Sequence, residues 1–218
     1  LFEDRDVIAV DKPAGVTAQP TPSRAGESLV DQVTTHLGRD AGMVHRLDRE
    51  TSGITIFGKS KDATSALAEA FRHRKAEKRY LAVTGPGMPK EGTIDLPLSK
   101  DPSRPGRWRA SNRANGLPAQ TAYALLYDGR FCIVSLHPRT GRTHQLRAHL
   151  TALGCPILGD VRYGGATSLG DLPAPRCLLH AFELRLPHPS TGAELVLKSP
   201  VPEDLVRFFA AANLDVPH

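Results

Sequence analysis

The order of apolar patterns along the chain limits the folds that it can adopt. Segments that alternate like strands are mixed with amphipathic helical segments, without a regular strand–helix–strand repeat. This order favours an α+β fold, with a mixed and mostly antiparallel sheet flanked by helices, over a doubly wound parallel sheet. The predicted strands are Val7–Val10, Lys78–Val83, Gln120–Tyr127, Phe131–His137, Leu178–Leu186 and Glu194–Lys198, and the predicted helices are Glu27–Leu37, Asp62–Lys75, Thr143–Leu153 and Pro202–Leu214.

Composition narrows the function classes. The 218 residues include 28 Lys and Arg against 23 Asp and Glu, a net charge of +5. This excess suits a polyanionic partner, and it is equally typical of a mildly basic enzyme without one. Three widely spaced cysteines form neither a disulfide framework nor a metal cluster, so we expect a reducing compartment, the cytoplasm. No apolar run approaches the roughly 18 residues of a membrane span, and a further domain before Leu1 is left open.

Asp48 lies between two arginines in the segment V-H-R-L-D-R-E-T-S-G-I-T-I-F-G, Val44–Gly58. The strand-like run after Gly53 predicts that Asp48 occupies a loop leading into a buried strand, where the scaffold can aim one side chain. The flanking Arg46 and Arg49 would keep the carboxylate ionised. A surface aspartate paired with arginine in a turn is the alternative, and this segment alone does not decide between the two.

A second basic cluster, His137–Leu150, reads H-P-R-T-G-R-T-H-Q-L-R-A-H-L. Arg142 and Thr143 fall where a helix N-terminus would present free amide groups to an anion, and Arg147 follows one turn later on the same face. The cluster therefore predicts binding of phosphate or carboxylate. No metal is predicted, because the histidines at 144 and 149 point apart on a helix and no H-E-x-x-H or C-x-x-C motif accompanies them.

Two segments read as loops. Ser99–Pro118 is basic and turn-rich, with one tryptophan, Trp108; its charged residues are Lys100, Arg104, Arg107, Arg109 and Arg113 against Asp101. Such a segment can wrap a phosphate backbone and stack on a base, or it can be an exposed excursion, and both interpretations stay open. Gly164–Pro175 is rich in Gly, Ser and Pro and is predicted to be mobile.

Several catalytic classes lack their motifs. The G-x-S-x-G of a serine hydrolase and the G-x-x-x-x-G-K-[ST] phosphate loop are both absent. Glycoside hydrolysis would need a second carboxylate beside Asp48. Glu50 is too close along the chain to supply it, and Glu69, Asp95 and Asp160 stand in unremarkable contexts. One loop carboxylate, one strand tyrosine and one helix arginine remain in a basic chain.

Six motifs in order carry a family resemblance. They are D-K-P-A-G at Asp11–Gly15, H-R-L-D-R-E-T-S-G at His45–Gly53, K-R-Y-L-A-V at Lys78–Val83, T-G-R-T-H-Q-L-R-A-H at Thr140–His149, G-D-V-R-Y-G at Gly159–Gly164, and L-H-A-F-E-L with H-P-S-T-G within Leu179–Gly192. With these motifs the chain resembles the catalytic domain of an RluA-type pseudouridine synthase. The resemblance covers nearly the whole chain and implies one catalytic domain, residues 1–218, with two halves around the loop 99–118 and a central RNA-binding cleft.

The resemblance implies a reaction and its residues. Uridine in RNA is isomerised to its C-glycoside without a cofactor or metal, through transient bonding of a carboxylate or through removal of a sugar proton. By resemblance, Asp48 is the catalytic carboxylate, Tyr80 stacks on the uracil, and Arg147 pairs with Asp48. Arg46 matches the residue that fills the gap left by the flipped base. Further substrate or RNA contacts are expected from His45, Arg49, Thr51, Arg142 and His144, and Leu178 or Leu179 is expected to form an apolar wall.

The substrate is expected to be a stem-loop of 23S ribosomal RNA or of tRNA, bound by a monomer. Two rival classes stay open. A catalytically silent RNA-binding module would keep the basic surface but not the three catalytic residues together. A nuclease or phosphoryl-transfer enzyme would need a cluster of carboxylates around a metal ion.

Overall fold

The computed structural model describes residues 1–20, 28–111 and 116–218, and these form fourteen strands and four α-helices. The strands are β1 (Phe2–Glu3), β2 (Val7–Lys12), β3 (Gly42–Met43), β4 (Ser52–Gly58), β5 (Glu77–Thr84), β6 (Glu91–Asp95), β7 (Leu98–Lys100), β8 (Trp108–Ala110), β9 (Gln120–Asp128), β10 (Cys132–Pro138), β11 (Ser168–Leu169), β12 (Leu172–Pro173), β13 (Leu179–Pro187) and β14 (Glu194–Lys198). The helices are α1 (Leu29–Leu37), α2 (Lys61–Arg72), α3 (Gln145–Ala152) and α4 (Glu203–Ala211). Residues 21–27, with Glu27 of the predicted first helix, and residues 112–115, with Arg113, lie outside the described residues.

The first compact unit comprises Leu1–Lys78 and Ala181–Pro200. Its strands follow the order β1-β2-β4-β13, with β3 beside β4 and β14 beside β13. Alternation along β2 sends Val7 into a core cluster with Leu67 of α2, while Ile8 joins a different cluster with Leu29 of α1. The two helices therefore cover opposite faces of this part of the sheet.

Serine residues begin both of these helices. Ser28 caps α1 in a reciprocal capping box with Asp31. The hydroxyl of Ser60 accepts the amide hydrogen of Ala63 and caps α2, so the helix begins at Lys61, one residue before its predicted start at Asp62. Asp62 instead occupies the first turn, where a negative charge interacts favourably with the helix dipole.

The second unit comprises Arg79–His180 and Val201–His218. Its strands follow the order β5-β10-β9-β6, and each neighbouring pair is antiparallel. The buried Leu205, Phe208 and Phe209 of α4 close its core, with Phe208 packed edge-on against Phe131. The basic segment 99–118 falls within this unit, and two halves arranged around it stay a prediction.

Two segments predicted as loops contain short hairpins. β7 pairs with β8 within 99–118, and β11 pairs with β12 within 164–175. β6 was also missed by the sequence analysis, because only one of its five residues, Ile94, is buried and its apolar signal is weak. The α+β class with a mixed sheet is confirmed. Among the described helices, none is long and apolar enough to cross a membrane.

Candidate active site

The loop that carries Asp48 is fixed at both ends. Leu47 is buried in the core, and the amide of Thr51 donates to the backbone oxygen of Asp48 at 3.1 Å, closing a turn. Asp48 itself is half-buried, while the neighbouring Arg46 is exposed. The fold therefore anchors the backbone on either side of Asp48 and leaves Arg46 directed to solvent.

Lys12 of the D-K-P-A-G motif ties this loop to the preceding one. The lysine is fully buried, and its ammonium group donates to the backbone oxygens of Pro13 at 2.9 Å, Val16 at 2.9 Å and Arg49 at 3.1 Å. Two further bonds join the same loops: Gly15 N donates to Arg49 O at 2.8 Å, and Arg49 Nε donates to Gly15 O at 3.0 Å. A buried charge with three acceptors is a rigid junction directly beside Asp48.

Lys12→Met should destabilise the fold and slow catalysis together. The methionine has a similar length but cannot donate to the three backbone oxygens that the buried ammonium group binds, and this loss costs on the order of 3 kcal/mol. Chemical unfolding measures the first effect, and single-turnover rates at saturating RNA measure the second. Arg5→Met, which removes an exposed cation from the same unit, should change neither. A Lys12→Met protein with parental stability and rate would show that the junction is dispensable.

Gly53 explains the T-S-G turn that follows Asp48. Its φ of +112° is a conformation that side-chain-bearing residues rarely adopt, and a Cβ atom there would lie 2.3 Å from the backbone oxygen of Ala181. The close approach of β4 to β13 therefore requires glycine at this position.

His45 supports the loop from the inside. Its Nε2 accepts the amide hydrogen of Ile56 at 3.1 Å, so the proton of the neutral ring is on Nδ1, and the ring stacks on Phe71 at 4.6 Å. Burial, with a smaller contribution from the charge of Lys78, lowers the pKa of His45 to about 3. Burial also lowers the pKa of Lys78 to about 8. The described contacts of His45 hold β4 and α2 together, and contact with RNA stays a prediction for this residue.

Arg147 forms a bidentate ion pair with Asp160 in the second unit. Nε donates to Oδ2 at 2.7 Å and Nη2 donates to Oδ1 at 2.8 Å, and both side chains are buried. Asp160 stands in an unremarkable sequence context, yet its carboxylate is a buried partner of Arg147. Gly159 precedes it because a Cβ there would lie 1.7 Å from the Arg176 backbone oxygen. The Arg147 partner predicted from the sequence, Asp48, stays a prediction.

Tyr163 supports the same guanidinium group. The Cζ of Arg147 lies 4.8 Å from the Tyr163 ring centroid, a cation–π contact within the core. The phenol oxygen bonds Nδ1 of His144 at 2.9 Å and accepts the amide hydrogen of Trp108 at 2.9 Å. The G-D-V-R-Y-G motif therefore supplies both a carboxylate and a ring to Arg147. His144 is predicted to contact RNA, and its described contacts are with Tyr163.

One of the two amide groups predicted to bind an anion at the start of α3, that of Arg142, is engaged within the protein. The helix begins at Gln145, and the backbone amide of Arg142 donates to Oε1 of Gln145 at 3.0 Å instead of facing solvent. The Gln145 amide group donates in turn to Gln120 O and to the hydroxyl of Thr121, both at 3.0 Å. These bonds connect α3 to β9. The side chain of Arg142 is exposed and donates from Nε to a backbone oxygen, so a phosphate contact there depends on the guanidinium alone.

The remaining predicted residues lie on strands or next to them. Tyr80 is half-buried on β5, opposite Leu136 of β10. Leu178 and Leu179 are buried, and the Leu178 backbone oxygen accepts the amide hydrogen of Val83 at 3.2 Å. Their role as an apolar wall of a uracil pocket stays a prediction.

One group of side chains among the described residues could hold a metal ion: Asp4, Asp6 and His188. The Asp4 carboxylate already accepts the amide hydrogens of Asp6 and Val7 and bonds His188 Nε2, all at 2.8 Å. Its acceptors are thus engaged in closing the β1–β2 turn and in holding the segment that follows β13. This is the arrangement of a structural tether.

Comparison with known proteins decides the family. Residues 6–152 match the family described as RNA pseudouridylate synthase. The chain is 41% identical over 208 residues to the dual-specificity RNA pseudouridine synthase RluA of Escherichia coli, with 92% of this chain and 91% of that protein covered. It is 35% identical over 229 residues to ribosomal large subunit pseudouridine synthase D of Nitrosomonas europaea, with all of this chain but only 66% of that protein covered.

Two solved structures of human proteins support the same family assignment. Human RNA pseudouridylate synthase domain containing 4 aligns with a TM-score of 0.79 at 30% identity, with 100% of this chain and 94% of that chain covered. Human RNA pseudouridylate synthase domain containing 1 aligns with a TM-score of 0.75 at 26% identity, covering 100% and 95%. The chain is an RluA-type RNA pseudouridine synthase.

Three residues of this pseudouridine synthase escaped the sequence analysis: Lys12, Asp160 and Tyr163. Each lies in one of the motifs that carry the family resemblance. None is expected to react with the substrate, because Lys12 holds loop backbone oxygens and the other two contact the guanidinium group of Arg147. A fully buried lysine or aspartate is rare without a specific partner. The sequence feature that could have indicated these residues is a charged residue next to an apolar run, such as the lysine that follows V-I-A-V-D.

Proposed function

We propose that this synthase converts uridines in stem-loops of ribosomal RNA or tRNA to pseudouridine, with Asp48 as the catalytic carboxylate. The observation that carries the proposal is the anchoring of Asp48. A carboxylate between two arginines is held by a buried lysine junction and a closed backbone turn. Such rigid support is what a site needs to align one reacting group.

The roles follow from the reaction. The N1–C1′ bond of the uridine breaks, a C5–C1′ bond forms, the proton at C5 leaves and N1 gains a proton, so no atom is added or lost. Asp48 either bonds transiently to the nucleoside or removes a sugar proton. We assign stacking on the uracil to Tyr80, and we assign to Arg147 the orientation of the Asp48 carboxylate. The target uridine must flip out of its stack to reach these groups.

The relatives' names support both RNA classes. One is called a synthase of the ribosomal large subunit and the other a dual-specificity enzyme. Site-resolved mapping of pseudouridine in 23S rRNA and tRNA transcripts treated with the purified protein tests the assignment directly. New pseudouridine at defined positions supports it, and unmodified transcripts of both classes contradict it. We further propose a cytoplasmic monomer, which sedimentation and cell fractionation would check.

Arg46→Ala should slow the modification of a stem-loop much more than that of an unstructured strand. Arg46 is exposed next to the anchored Leu47, so its guanidinium can enter the gap left by a flipped uridine. Extruding a stacked base costs a few kcal/mol, and an unstacked base costs less. Rates on a stem-loop and on a linear strand of related sequence measure the difference.

Arg49→Ala is the matched control for Arg46, because Arg49 donates to Gly15 O in the loop junction. This change should slow both substrates alike. Equal losses in Arg46→Ala would show that Arg46 also acts only on the loop.

Chelation of metal ions should leave activity unchanged. In the one group of potential ligands in the described chain, Asp4 and His188 are already hydrogen-bonded to each other. Pseudouridine formation in excess EDTA, with monovalent salt sufficient to keep the RNA folded, measures this. Loss of activity that a single divalent ion restores would favour the rival metal-dependent class instead.

A further inference from the structure

The β7–β8 hairpin carries a group of polar side chains that the proposed reaction does not use. We propose that this hairpin, residues 98–111, binds a backbone phosphate of the substrate RNA through Arg109, Ser99 and Ser111. The inference rests on the proposed RNA substrate and adds a binding site outside the reacting groups.

One face of the hairpin belongs to the protein core. Leu98 is fully buried opposite Ala110, and Trp108 and Ala110 pack against a buried cluster that includes Tyr163. Trp108 is half-buried and contributes to folding through this packing, and the interpretation that it stacks on a base stays a prediction. The hairpin has a fixed position because this face is packed.

The other face carries the polar group. Ser99 lies directly opposite Arg109 in the ladder, and Ser111 continues it by donating its amide hydrogen to the Pro97 backbone oxygen at 3.1 Å. Side chains alternate along a strand, and residues directly opposite each other share a face. Ser99, Arg109 and Ser111 thus point to the same side, away from Leu98 and Trp108.

Several side chains of this hairpin contain a buried polar atom that has no hydrogen-bond partner among the described residues. Five buried side-chain polar atoms of the described chain have none, and four of them belong to this hairpin: Ser99 Oγ, Arg107 Nε, Arg109 Nε and Ser111 Oγ. Buried polar atoms are nearly always paired in folded proteins. Arg107 Nε lies 3.9 Å from Asp101 Oδ2 in an ion pair, so the donors without a partner are those of Ser99, Arg109 and Ser111. The partner that these three atoms lack is a group rich in acceptors. A phosphate diester provides several acceptor oxygens and a negative charge.

The hairpin is connected to Arg147 through one ring. The guanidinium carbon of Arg107 lies 4.9 Å from the centroid of Tyr163, and that of Arg147 lies 4.8 Å from it. The amide of Trp108 also donates to the phenol oxygen of Tyr163. A phosphate held by the hairpin is therefore held at a fixed offset from Arg147. Its effect should be on RNA affinity and position, and so on KM, with kcat unchanged.

The first test removes the charge at Arg109. Arg109→Gln should weaken binding of an unmodified tRNA transcript about tenfold near 0.1 M salt and reduce the slope of log affinity against log salt by about one. Arg207→Gln is the matched control, because it removes one exposed arginine from α4 of the same unit. It should leave the slope near that of the parent. Equal effects of the two variants would overturn the proposal.

The second test separates a ligand site from a structural one. Ser99→Ala with Ser111→Ala should weaken tRNA binding about threefold or more and leave the melting temperature of the free protein unchanged or higher, because no bond within the described protein is lost. A lower melting temperature would show that the hydroxyls are paired in the free protein and would overturn the proposal. Parental tRNA affinity in this double variant would do the same.

Both tests read binding, so they are independent of turnover. If the parent protein binds and modifies the tRNA transcript but Arg109→Gln behaves like Arg207→Gln, only the proposed hairpin site is contradicted. A parent protein that neither binds nor modifies any transcript would sink the proposed function, and the hairpin site with it.

Discussion

Asp48→Asn should abolish pseudouridine formation while the protein stays folded and binds RNA. The amide keeps nearly the shape of the carboxylate but can neither act as a nucleophile nor accept a proton at neutral pH. Loss of such a group lowers rates by at least about a thousandfold. Backbone bonds anchor the loop through Thr51 and Lys12, independently of the Asp48 side chain, so the melting temperature should change little. Quantified pseudouridine after a single turnover measures the loss.

Glu50→Gln is the matched control for Asp48. It neutralises a carboxylate two residues further along the same loop, beside Arg49. It should retain at least half of the parental rate. If Asp48→Asn turned over at a rate near that of the parent, Asp48 would lose its assignment as the catalytic carboxylate.

Arg147→Ala should cost both stability and activity. It leaves the buried Asp160 carboxylate without its bidentate partner, and breaking such a pair costs about 3–5 kcal/mol. It also removes the cation that we assign to Asp48. Arg147→Lys should recover only part of each, because an ammonium group cannot reproduce the planar fork. Urea unfolding and single-turnover rates report the two losses separately.

A second substitution separates the two roles of Arg147. Adding Asp160→Asn to Arg147→Ala removes the uncompensated charge, so most of the lost stability should return while activity stays absent. Recovered activity in the double variant would mean that Arg147 serves only to neutralise Asp160. Unrecovered stability would mean that Asp160 is not the partner on which the fold depends.

Local patterns were enough to locate most elements. The strands β2, β5, β9, β10, β13 and β14 lie within two residues of their predicted bounds, because each combines apolar alternation with a turn signal. The hairpin strands β7 and β8 were missed, since three-residue strands in a basic segment show no periodicity. Their pairing depends on distant partners, including Tyr163, which holds the Trp108 amide.

In the candidate site, too, some features could be predicted from the sequence and others could not. Asp48, Tyr80 and Arg147 could be assigned from motifs because each carries a reactive or charged group. The pairing of Arg147 with Asp160 could not, because it joins residues thirteen apart across a turn that only the tertiary fold defines. The packing of Trp108 against a core cluster could not be predicted either, since composition alone does not indicate which face of a hairpin is buried.

Each compact unit is assembled from two separated stretches of chain, and this has a consequence for synthesis. The unit that bears Asp48 ends its first stretch at Lys78 and receives β13 and β14 only from residues 181–200. Contacts such as Ser199 with Asp11 join positions 188 residues apart. A nascent chain leaving the ribosome therefore displays the finished Asp48 loop sequence long before the strand against which Gly53 packs. Folding of this unit must wait until residues 181–200 have left the ribosome, and the high sequence separation of its contacts favours slow folding.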